Sequence, residues 1–166
     1  KTDEFFEDFH SWFDVFGYYS DKMRVGAILH YSHQIPKEVC EYFDEIRECF
    51  AFGLRRSSIA LCRALLEIAF VAKTRNCKPR QSGTKTYSLE SKRKDIEEED
   101  KLYFLINRAF HDYRLIDKGI KETAHSVRLR ANGVLHLEKQ LVEPNEENAL
   151  AIISDTLKVI EHLYRM

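Results

Sequence analysis

The segment Val127 to His136 reads V-R-L-R-A-N-G-V-L-H and places Arg128, Asn132 and His136 at i, i+4 and i+8. At about 100° per residue these three span only ~80° of a helix circumference, so one stripe carries them all. A guanidinium presents forked donors to phosphate, an amide offers donor and acceptor together, and an imidazole moves a proton near neutral pH. Together they suit phosphodiester chemistry without a metal. Arg130 competes with Arg128: it stands six residues before His136, about 120° away on a straight helix. Asn132-Gly133 is a turn-prone dipeptide, and a kink there would bring Arg130 to His136 instead. A polar helix face with a hydrogen-bonded histidine also accounts for the spacing, and the residues alone leave these readings open.

A second constellation is Arg63 with Glu67, an i, i+4 pair on an otherwise apolar stretch from Ile59 to Ala72. Uncompensated burial of a charge is costly, so the pair is expected to be joined, hydrogen-bonded or set at a cleft. It would then act as an internal ion pair fixing helix register, or as a support orienting the Arg128 stripe from a neighbouring helix. His30 and His33 lack a third ligand with suitable spacing and read as a surface pair. There is no P-loop, GxGxxG, HExxH or GxSxG motif, so neither a metal nor a nucleotide cofactor is expected.

The elements that must position these residues show helical spacing. Phe5, Phe9, Trp12 and Phe16 form an aromatic stripe over Asp3 to Phe16, and after Gly17 a second apolar stretch, Val25 to Tyr31, ends in a boundary near Pro36. Val39, Phe43, Ile46 and Phe50 repeat behind Pro36 and stop near Phe52 and Gly53. Ile59 to Ala72 is apolar almost all round and is expected to be the central helix. Tyr103, Ile106 and Phe110 mark another helix, Ile120 through Leu135 a further one, and Leu150 to Tyr164 the last, with Asn145 as its N-cap. Between them, 75–91 reads as a loop. Lys73 to Lys94 carries eight basic residues against Glu90 alone, whereas the first 21 residues carry six acids and one base. That asymmetry suits a phosphate contact at the loop, pairing of the two segments, or simple solvation.

No segment alternates with period two, and six Gly with three Pro leave little material for the turns of a β-sandwich. The expected fold is all-α, an antiparallel bundle of five or six helices in one domain spanning 1–166. The formal charge of −1 means that any polyanion site must be local. Cys40, Cys49, Cys62 and Cys77 form no CxxC pair, which fits reduced thiols in a cytoplasmic protein. The apolar run is too short to cross a membrane. The chain opens on Lys1, as expected of a fragment of something longer.

The order of these features resembles the HEPN superfamily, in particular the helical domain of unknown function found beside restriction-modification proteins. The words that carry it are Ile35-Pro36, Glu48 to Gly53, R-x-x-L-E at Arg63 to Glu67, A-H-S-V-R at Ala124 to Arg128, N-x3-H at Asn132 to His136, and the closing helix to Tyr164. The resemblance runs from Ile35 to Arg165 and leaves 1–34 as an N-terminal helical extension. It implies a helical dimer and, in many members, a metal-independent endoribonuclease acting through a closely spaced arginine and histidine. Arg130, with five residues before His136, meets that spacing; Arg128, with seven, does not. The implied chemistry is attack of an RNA 2′-hydroxyl on its adjacent phosphate, with His136 moving a proton, Arg128 or Arg130 stabilising charge and Asn132 orienting either group. The alternative is a non-catalytic helical module that dimerises and binds nucleic acid or another subunit of a restriction or defence system.

Overall fold

A computed structural model describes residues 14–26, 35–75, 77, 101–135 and 143–165, and no strand occurs among them. The chain is all-α, with α1 (Val15–Gly26), α2 (Lys37–Ala51), α3 (Arg55–Arg75), α4 (Lys101–His111), α5 (Lys118–Leu135) and α6 (Glu146–Tyr164). The Phe5 to Trp12 stripe, His30, His33, most of the basic loop and His136 lie outside the described residues.

Helix α2 follows its apolar spacing: Val39, Phe43, Ile46 and Phe50 are all buried. It stops where expected, the Phe52 and Gly53 amides bonding back to the Glu48 and Phe50 carbonyls. Gly53 takes φ 75°, a left-handed cap that costs a residue without Cβ little. Helix α3 starts at once and packs against α2, α4, α5 and α6. It is the central helix, and its buried side chains include Ile59, Cys62, Leu65, Leu66, Ala69 and Phe70. Burial pushes the Cys62 thiol up to about 12, so it behaves as a small apolar group.

Asn145 caps α6 as its sequence position indicates, its side chain accepting from the Asn148 amide at 2.9 Å. At the other end of α6 the Tyr164 hydroxyl donates to the Ala69 carbonyl of α3 at 3.2 Å. This satisfies a buried polar atom across the core.

Gly17 lies in the first turn of α1. The Asp14 side chain accepts from the Gly17 amide at 2.9 Å, and the Asp14 carbonyl accepts from Tyr18. That N-cap starts α1, which continues through Gly17 because cap and tertiary contacts outweigh a single glycine's propensity. Arg55 of α3 holds α1 through Asp21 at 3.0 Å and reaches Glu146 of α6 at 3.6 Å. Arg24 of α1 meets the same Glu146 at 2.6 Å. Among the described residues no helix is long and apolar enough to cross a membrane.

Candidate functional site

Helix α5 begins at an Asp117 cap, whose side chain accepts from the Ile120 amide at 2.8 Å. From that start the helix runs unbroken through Asn132 and Gly133 to Leu135, so the kink that would recruit Arg130 does not form. Gly133 is buried within the helix. Its intact hydrogen-bonded turns prevail over the turn preference of the Asn-Gly pair, as a packed face commonly overrides local propensity. Ala124, Val127 and Ala131 face the core, and this fixes the helix's rotation. Lys121, His125, Arg128 and Asn132, at steps of four, three and four, then share a separate stripe.

That stripe lies beside α4. The Arg128 guanidinium sits over the Tyr103 ring, 5.3 Å from its centroid, and the His125 ring tilts against the same tyrosine at 5.1 Å. Tyr103, Ile106 and Phe110, whose spacing marks α4 as a helix, do not share one environment. Tyr103 is 42% exposed, and Leu102, Ile106 and Ala109 make the buried face. Ile106 is buried in that face and Phe110 packs against the core, while Tyr103 turns outward and leaves its ring open to a cation from α5.

Arg130 points elsewhere: it pairs with Asp155 of α6, and Lys158 meets the same carboxylate at 3.1 Å. The expected Arg63–Glu67 pair is also absent. Glu67 binds Lys101, the first residue of α4, at 2.6 Å, while Arg63 has a buried Nε without a hydrogen-bond partner. An arginine preceding its glutamate by one turn is in the weaker orientation for a helical pair, and Lys101 offers Glu67 a cation from the next helix. Glu67 thus braces the first turn of α4, two residues from Tyr103, and Arg63 takes no part in that contact.

Beyond Tyr103 the two helices leave a cleft of about 270 Å³, lined by Tyr103, Phe104, Asn107, Arg108, His111, Asp112 and Lys121. Arg108 donates to the Tyr113 hydroxyl at 2.8 Å and lies 3.6 Å from Asp112. The Lys121 Nζ lies 3.4 Å from His111 Nε2 and meets no carboxylate among the described residues. Tyr103, Asn107 and His111 repeat at four-residue steps on α4. The same arithmetic that singled out Arg128, Asn132 and His136, extended N-terminally along α5 and applied to α4, points to Lys121, His125 and these residues. Among the described residues no group of three or more His, Cys, Asp or Glu is placed to hold a metal.

No family model, curated protein or solved structure matches this chain.

Burial, then the Arg128 and Lys121 cations, push the His125 imidazole down to about 4. Its Nδ1 is buried without a partner, so the ring rests neutral against Tyr103 at physiological pH. An unfolded histidine titrates near 6.5, so between about pH 6.5 and 4 the unfolded chain binds the extra proton. The contribution is therefore complete above pH 6.5 and is lost as pH falls through that window. After allowance for solvent screening at a partly buried ring it is about 1–2 kcal/mol, a Tm change of about 2–8 °C in a chain of this size. Thermal melts from pH 7 to 4 should show this loss in the wild type and a flatter profile in His125→Gln. An NMR titration of His125 with an ordinary midpoint would refute it.

Proposed function

We propose that the α4–α5 face binds RNA and that the chain is a metal-independent, HEPN-like endoribonuclease acting through Arg128, Asn132 and His136. The observation that carries this reading is the Arg128 guanidinium laid over the exposed ring of Tyr103, with Lys121 about two turns away along the same stripe. Cations interleaved with an aromatic platform suit a single-stranded polynucleotide, whose phosphates and bases they meet together. In the reaction the 2′-oxygen bonds to phosphorus as its proton passes to His136. The bond from phosphorus to the 5′-oxygen breaks, and that oxygen takes a proton from solvent. The products are a 2′,3′-cyclic phosphate and a 5′-hydroxyl end. Arg128 offsets the charge gathering on the phosphate, and Asn132 orients it.

The unbroken helix and the Arg130–Asp155 pair favour Arg128 over Arg130 as the phosphate ligand. The same pair favours a second reading: with the arginine of HEPN-like spacing engaged elsewhere, the face binds RNA or a defence-system subunit without cutting. The resemblance also carries the proposals of a homodimer and a cytoplasmic defence setting; Phe16, Tyr19 and Met23, exposed along α1, supply an apolar face for association. The deciding experiment incubates mixed RNA with the protein in EDTA. Cleavage lost in Arg128→Ala and kept in Arg130→Ala supports the enzyme. RNA binding that depends on Arg128 with no cleavage in any buffer replaces it with the binding module.

A further inference from the structure

We propose that the cleft between α4 and α5 is a nucleotide subsite: a base seats against Tyr103 beside the Asn107 amide, and its phosphate is held by Lys121. This deepens the RNA-binding reading and rests on it for the ligand class, while its test is separate.

Tyr103 belongs to both places. Arg128 covers its ring from the α5 stripe, and the same side chain forms one end of the cleft. Phe104 meets that ring edge-on at 5.6 Å and His125 tilts against it, so the platform is held in place while remaining open to solvent. Aromatic rings in such settings stack bases with little regard to their identity.

Asn107 supplies the polar contact. Its Nδ2 donates to the Tyr103 carbonyl at 2.9 Å, which fixes the plane of the amide. One N–H and the Oδ1 remain to meet an adjacent acceptor and donor on a base edge.

The cations divide their roles. Arg108 is held by Asp112 and Tyr113, and so offsets the one carboxylate lining the cleft among the described residues. Among the described residues Lys121 is held only by His111 and the Phe110 ring, which leaves its ammonium to meet a phosphate. The volume of about 270 Å³ lies just below the roughly 300–1,000 Å³ of drug-sized sites and suits one nucleotide. Seven residues along α5, about 10 Å, separate Lys121 from Arg128, a distance spanned by about three stacked nucleotides. A strand crossing the stripe therefore meets the cleft a short way from the phosphate at Arg128.

Equilibrium binding to the full chain tests this with 5′-AMP, adenosine, inorganic phosphate and hexa-adenylate. 5′-AMP should saturate the protein, with adenosine and phosphate each weaker by ~10-fold or more. Asn107→Ala and Lys121→Ala should each weaken 5′-AMP and hexa-adenylate by ~10-fold, while Arg130→Ala leaves both unchanged. Loss of 5′-AMP binding alone in the two cleft variants would assign the cleft to free nucleotides and overturn its place on an RNA path. Equal affinity for 5′-AMP and phosphate, or indifference to both substitutions, would overturn the subsite altogether. RNA cleavage without a cleft effect would sink the subsite and leave the enzyme standing; cleft-dependent binding without cleavage would do the reverse.

Discussion

His136→Ala is expected to lower RNA cleavage by about 10²–10⁴-fold, the usual contribution of a proton-transfer residue, while leaving the far-UV circular dichroism spectrum and most of the RNA affinity in place. Arg128→Ala should lose cleavage and affinity together, because its guanidinium is proposed to meet the phosphate in both the bound substrate and the transition state. Single-turnover cleavage in EDTA, with affinity measured in parallel by fluorescence anisotropy, separates the two effects. His136→Ala cutting at the wild-type rate would remove the proposed proton transfer. A fall in affinity alone would make His136 a binding residue and favour the non-catalytic module.

Phe70→Ala is expected to destabilise the chain by about 3–5 kcal/mol. Phe70 is wholly buried on α3, the helix against which α2, α4, α5 and α6 all pack, so the cavity has no single neighbour free to fill it. At about 2–4 °C per kcal/mol for a chain of this size, Tm should fall by about 6–20 °C. Leu129, 49% exposed on α5, is the exposed control, and Leu129→Ala should lie within about 0.5 kcal/mol of wild type. Equal small changes at both positions would mean that α3 is not the centre of the core.

The helices were legible because each buried stripe repeats at steps of three and four, as at Val39, Phe43, Ile46 and Phe50. Periodicity says less about which residue leads a stripe. Tyr103 stands next to Leu102, and either starts a plausible apolar series; only packing decides that Leu102 is inside and Tyr103 outside. The start of α1 was less legible, since it is set by Asp14, whose side chain accepts from the Gly17 amide. At the site, Arg128 and Asn132 share a stripe by helical arithmetic alone. The partners of Arg130 and Glu67 come from other helices, Asp155 and Lys101, and no spacing within one segment reveals a contact between segments. His125 was visible only as a letter in A-H-S-V-R, because its character comes from burial against Tyr103 and two neighbouring cations.

The short turn at Phe52 to Leu54 bears on the order in which this chain assembles. It joins α2 to α3 almost without a loop, so their pairing carries little closure entropy and belongs among the early events. Helix α6 docks on α3 from a point far along the chain, and it carries Asp155, the partner of Arg130 on α5. The packing around α3 is therefore completed only when α6 arrives. Until α6 docks, the apolar faces of α3 and α5 that it covers stay open to water, so a chain stopped before Glu146 is expected to aggregate rather than wait in a folded state.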